Sequence, residues 1–255
     1  LLGVLLEGLI EAGYPVIAID PEHELWTFQE VGALVIGGDR GDAPFSEDPA
    51  VIERLVRFAI DAGQPLVFDL QGMSSLEQAW AGNLVASVVW RVADAVRTQL
   101  VFAATEAHLF APQLQPVIPR NWPRDRVPDF SVLGEVNSRG RKRGVITLLE
   151  TQRPAAIQKA VISQCNVRFL GRLDDVDDYD KVKAHLPKGT TLPDMQSLER
   201  GHFYCSRLWE GAREVRERRV THGGGSPEEI AAVEMRIEHV DRRADHLHLI
   251  AQVVA

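Results

Sequence analysis

The sequence predicts an α/β protein: a mainly parallel sheet with helices on both faces, followed by a C-terminal β-hairpin and helix. Three observations predict it. Short apolar runs recur at Val16–Ile19, Ala33–Ile36, Pro65–Leu70, Leu100–Ala104 and Val145–Leu149, as in strands buried on both faces. Segments of helical period alternate with these runs, which implies right-handed crossovers within one parallel sheet. The runs at 100–104 and 145–149 end in polar tips, Thr105-Glu106-Ala107-His108 and Glu150-Thr151-Gln152-Arg153. The C-terminal ends of parallel strands are where open α/β sheets build their sites.

The elements follow in order. Leu1–Ala12 has apolar residues at 1, 2, 5, 6 and 9, a helical spacing that stops at Gly13. Nothing precedes Leu1 as a cap, so the chain reads as starting inside a helix. The run at 16–19 ends at Asp20-Pro21-Glu22, and the run at 33–36 at the Gly37-Gly38-Asp39 turn. Asp48-Pro49 opens a helix over about 50–62. Ser75 to about Val96 carries apolar residues at 76, 79, 80, 84, 85, 88 and 89, the pattern of a long helix. Residues 112–128 hold five prolines and read as a loop. Asp129–Arg143 and Ala155–Ser163 read as helices, Val167–Leu170 as a further strand, and Asp174–His185 as an acidic helix. Gly201–Leu208 and Arg213–Val220 read as a hairpin. Gly223-Gly224-Gly225 breaks the chain, and Ser226-Pro227 opens a last helix. The expected division is therefore a core over 1–222 and an appended helix over 223–255.

Composition excludes some classes. The 255 residues, 45% hydrophobic, can bury an ample core in one large domain or two small ones. A net charge of −8 excludes a generally basic nucleic-acid coat, though not a local basic strip in a pore or groove. Cys165 and Cys205 match no metal spacing and no disulfide framework, which favours a reducing cytosol and a packing role for both thiols. Leu1–Ile10 is apolar but broken by Glu7 and too short to span a bilayer, so no signal peptide or membrane insertion is expected.

Several segments together resemble the HerA/FtsK superfamily of P-loop ATPases, on its HerA-like branch. They are VIAIDPEHELWTF at 16–28, EAHLFAPQ at 106–113, RGRKRGVITLLETQRPAAIQKAVISQCNVRFLGRL at 139–173 and LERGHFYC at 198–205. Their order and spacing cover most of residues 1–220. The resemblance implies a RecA-like core, ATP and Mg2+ as cofactors, and a homo-hexameric ring that moves double-stranded DNA. It also implies a nuclease or other effector as partner. Two departures from the family pattern stand out. The phosphate-binding loop, Gly-x-x-x-x-Gly-Lys-Ser/Thr, is expected just before Leu1 and occurs nowhere in the 255 residues. These residues alone are therefore expected to bind ATP poorly. The family's Asp-Glu-Ala-His is here Thr105-Glu106-Ala107-His108, and the aspartate it loses holds the magnesium shell.

By the resemblance, Glu106 polarises the attacking water, against the plain reading of a surface carboxylate after a strand. Gln152 senses the γ-phosphate, or else ties two loops together. Thr105 and Glu106 are the candidate contacts to the magnesium shell, with Thr151 beside the nucleotide. Arg139, Arg141 and Arg143 include a candidate arginine finger for the next subunit's ATP, though cations at a helix end need no function. Asp20 and Glu22 face the nucleotide or a subunit boundary, or simply form the turn with Pro21. His108 and Arg153 read as loop-bonded groups. Three functions compete: a DNA-translocating ATPase or helicase, a pseudo-ATPase scaffold for an effector, and a conjugation- or secretion-type motor.

Overall fold

The computed structural model describes residues 1–207 and 211–216. The last helix expected after Ser226 and the boundary at 222 lie outside the described residues. Five parallel strands form the main sheet: β1 (Val16–Asp20), β2 (Leu34–Gly37), β3 (Leu66–Asp69), β4 (Leu100–Ala104) and β5 (Val145–Leu149), in the order β2-β3-β1-β4-β5. Every residue of β1 to β4 is buried, as uninterrupted apolar runs require.

Side chains alternate across the sheet and so divide the core in two. Ile17, Ile19, Phe68 and Phe102 point to the face covered by α2 (Pro49–Ala62), α3 (Ser75–Val96) and α4 (Val132–Arg139). Val16, Ala18, Val67, Val101 and Ala103 point to the other face. That face is covered by Leu6 of α1 (Leu2–Glu11) and by Leu25, Trp26 and Phe28 of a 3-10 stretch over Leu25–Val31. Each fully buried side chain such as Phe68 or Phe102 contributes about 1.5–3 kcal/mol.

The helix starts follow local chemistry. Asp48 accepts the Ala50 N–H at 2.8 Å with Pro49 in the first turn. Ser74 and Glu77 form a reciprocal capping box at the head of α3. Gly82 in α3 lies against the ring of Phe110, where an added Cβ would stand 2.2 Å from Cε1. That ring is buried and has no room to yield, so Gly82→Ala is expected to destabilise the fold by about 1–3 kcal/mol, read as a lower chemical-denaturation midpoint.

Several elements differ from expectation. Val167–Leu170 (β6) does not extend the parallel sheet. It pairs antiparallel with β7 (His202–Arg207), which pairs with β8 (Gly211–Arg216) in a separate three-stranded sheet. The reason is its pattern: Val167 and Phe169 are more than a third exposed, which a strand covered on both faces does not tolerate. The helix expected over 155–163 begins only at Lys159 (α5, Lys159–Gln164), because Arg153–Ala156 closes a turn first. The helix expected over 129–143 begins at Val132, after Asp129 accepts the Ser131 N–H, and ends in a 3-10 turn over Gly140–Arg143. The acidic helix shortens to α6 (Val176–Val182), and a further short helix, α7 (Leu192–Gln196), starts from a Thr191–Asp194 capping box. The 3-10 stretch over Leu25–Val31 was not foreseen either. Among the described residues the outer edge of β5 pairs with no strand, and its Ile146 is 39% exposed.

Candidate active site

The C-terminal edge of the parallel sheet gathers carboxylates from neighbouring strands. Thr105 continues β4, donating its N–H to the Ile19 carbonyl at 3.1 Å and its hydroxyl to Asp20 Oδ1 at 3.1 Å. The Asp20 carboxylate is fully buried and also accepts the N–H groups of Glu22 (3.1 Å) and Leu25 (2.6 Å). Asp20 thus forms the turn and starts the 3-10 stretch after β1. Burial pushes its carboxyl above the ordinary carboxylate range, the Leu25 N–H opposes this, and the Asp69 charge adds to it.

Glu106 follows with a left-handed backbone, φ 45° and ψ 46°. That conformation costs a non-glycine residue about 1–2 kcal/mol. Its side chain is 10% exposed, and Oε2 is buried without a hydrogen-bond donor. His108 Nδ1 lies 3.0 Å from that oxygen but outside hydrogen-bonding geometry, and bonds instead to Thr151 Oγ1 at 3.0 Å. Thr151 Oγ1 also accepts the Arg153 N–H at 3.0 Å, while the side chains of Gln152 and Arg153 are exposed.

The neighbouring tip supplies Glu150, a residue given no role from the sequence. Its Oε2 accepts the Glu106 N–H at 3.3 Å, its N–H donates to the Ala104 carbonyl at 3.0 Å, and its carbonyl accepts the Ala107 N–H at 2.8 Å. Burial, with the Glu106 charge second, pushes the Glu150 carboxyl up to about 7. Partial burial and the charges of Asp20 and Glu106 raise Glu24 at the rim as well. The signal for Glu150 was in the sequence: like Glu106, it closely follows an apolar strand run.

Thr105, Glu106, Thr151 and Gln152 therefore meet on two adjacent tips, with Asp20 on the third. Glu22 is exposed beside them. Arg139 and Arg141 are not brought to this site. They lie before the start of β5, at the opposite edge of a five-residue strand spanning about 17 Å. Arg139 is 3.6 Å from Glu135. Arg143 is held 2.7 Å from Asp94 with its guanidinium 4.1 Å from the Trp90 ring centroid. At the far side of the C-terminal edge, the buried Asp69 pairs with His23, whose φ is 58° and whose ring stacks on Trp26.

The donor set bears on a cation. Among the described residues no three His, Cys, Asp or Glu side chains converge as a direct metal cage. The crowded carboxylates, with pKa values raised partly by one another, and the buried Glu106 oxygen without a donor nevertheless fit a hydrated divalent cation held through water.

No family model matches the chain. It is 28% identical over 90 residues to Protein P9 of Pseudoalteromonas phage PM2, a match spanning 34% of this chain and 40% of the phage protein. Among solved structures it is similar to VirB4 of Thermoanaerobacter pseudethanolicus, at 13% identity and TM-score 0.54, covering 89% of this chain and 86% of that one. It is also similar to the genome packaging NTPase B204 of Sulfolobus turreted icosahedral virus 2, solved with ATP-gammaS. There the identity is 13% and the TM-score 0.44, over 80% of this chain and 97% of that one. The fold shared with VirB4 is the α/β one described above, a five-stranded parallel sheet flanked by helices. No helix among the described residues is long and apolar enough to cross a membrane.

Proposed function

We propose that this chain is the ATP-hydrolysing core of a ring-forming motor of the FtsK/HerA type, acting on double-stranded DNA. The observation that carries the reading is Glu106. It stands at the tip of the strand next to the β5 tip, with one carboxylate oxygen buried and lacking a donor. Such an oxygen is suited to accept a proton from an attacking water in a site the substrate closes. In this reading Gln152, exposed on the adjacent tip, contacts the γ-phosphate, and Thr151 and His108 hold the rim of the site. Arg139 and Arg141, at the opposite edge, serve a neighbouring copy rather than their own site. A magnesium ion held through water by Thr105 and Glu106, with Asp20 behind them, would neutralise phosphate charge. No phosphate-binding loop occurs within residues 1–255, and the outer edge of β5, which pairs with no strand among the described residues, offers a parallel strand carrying one a place to pair.

A conjugation- or secretion-type motor is the second reading, and the likeness to VirB4 supports it equally. The test is ATP hydrolysis by the full-length protein with and without double-stranded DNA. Stimulation by DNA is the expected result. Turnover that ignores DNA, in a protein that does not bind it, favours the secretion-type motor. Absence of any turnover favours the pseudo-ATPase scaffold, for which Thr105 in place of aspartate is the motive.

A further inference from the structure

We propose that Glu150 is a positioning residue that holds the backbone of Glu106 in its left-handed conformation and thereby aims the Glu106 carboxylate. The inference rests on the reading of Glu106 as the group that activates water. It comes from the distribution of contacts. One residue, on a different strand, bonds to three positions of the 104–107 turn: its N–H to Ala104, its side chain to the N–H of Glu106, its carbonyl to the N–H of Ala107. The main-chain bonds at 104 and 107 continue the β4–β5 pairing just past the strand ends and use no side-chain atom of residue 150. The bond to the Glu106 N–H is made by the side chain alone.

That bond falls where the backbone most needs it. Past the left-handed turn it is the Ala107 N–H that takes the Glu150 carbonyl, so the Glu106 N–H bonds to the Glu150 side chain and not to a main-chain oxygen. Nothing in the side chain of Glu106 offsets the strain, since Oε2 accepts no donor and Glu106 caps no helix through its side chain. The Glu150 oxygen therefore supplies the acceptor that keeps the turn, and with it the carboxylate, in one orientation. Loss of that acceptor leaves the carboxylate present but misplaced. A catalytic group displaced by about 1 Å loses on the order of 100-fold in rate without any loss of substrate binding. The contact is an acceptance, not a charge pair, so a glutamine at 150 still provides a carbonyl oxygen for it.

The experiment uses the full-length protein and its Glu150→Ala, Glu150→Gln and Glu106→Gln variants. Steady-state ATP hydrolysis is measured together with hydrogen exchange of the peptide spanning 104–107. For E150A the expected result is a kcat lowered about 10- to 100-fold at unchanged KM for ATP, with faster exchange in that peptide. For E150Q, kcat and exchange stay close to those of the parent protein. Unchanged exchange and turnover in E150A overturn the proposal while leaving Glu106 in place. Loss of turnover in E150Q equal to that in E150A, with the peptide still protected, also overturns it, because the charge would then matter rather than the acceptor. If E150A does not fold, Glu150→Met, which fills the same space without an acceptor, takes its place with the same two outcomes. A parent protein that hydrolyses ATP no faster than E106Q removes the reading of Glu106 itself and the proposal with it.

Discussion

Glu106→Gln lowers the ATP turnover of the full-length protein by about 100- to 10,000-fold, with KM for ATP unchanged and no loss of melting temperature. The separation of these readouts follows from the site. Glutamine has the size of glutamate and the same backbone demands, so the left-handed turn at φ 45° carries the same strain in both proteins. The N–H of residue 106 still donates to Glu150, and the packing of Ala107 and Phe110 is untouched. What changes is the buried oxygen that has no donor of its own. As a carboxylate it can take a proton from water; as an amide it cannot. Phosphate release under saturating ATP, with and without DNA, reads kcat directly. An E106Q protein that turns over at the parental rate assigns the proton transfer to another group, and Glu150 is then the first to examine, being the neighbouring carboxyl.

The sheet was legible because its strands obey a one-residue rule. Leu100–Ala104 is apolar at every position and buried at every position. The runs at 16–19 and 66–68 behave alike, so the ends of the strands, and with them Asp20, Thr105 and Glu106, could be placed from sequence. Partners across strands could not. The Glu106 amide finds its acceptor 44 residues away, and the His108 ring finds Thr151 43 residues away; neither separation leaves a mark in the sequence. Asp20 shows the same limit from another side. Its position beside Pro21 allowed a turn or a ligand, and the turn takes both of its oxygens through Glu22 and Leu25. The strand at 167–170 was recognised but its sheet was not, since four residues of mixed burial do not say which neighbour they pair with. The basic cluster at 139–143 was visible as charge, while its edge of the sheet depends on where β5 begins.

The carboxylates at the sheet edge make the ligand-free protein less stable as pH rises toward neutrality. Glu150 has its carboxyl raised from about 4.5 to about 7 by burial, with the Glu106 charge adding to it. A carboxyl raised in the folded state holds its proton more tightly there than in the unfolded chain. Its stabilising contribution is therefore complete below the unfolded value, shrinks as pH climbs toward 7, and is lost above it. The shift corresponds to about 3 kcal/mol between the two limits. Asp20 is raised in the same direction, chiefly by burial, so its contribution has the same sign. In buffer containing EDTA, which keeps divalent cations from masking the carboxylates, the thermal midpoint is expected to fall between pH 5 and pH 7 and to level off by pH 8. Glu150→Gln carries no charge at any pH and keeps its acceptor oxygen, so it should flatten most of that slope and melt above the parent protein at pH 8. A parental midpoint that rises over the same interval would mean that the Glu150 carboxylate ionises without penalty. The crowding of acids on these tips would then be relieved by donors beyond the residues that surround it here.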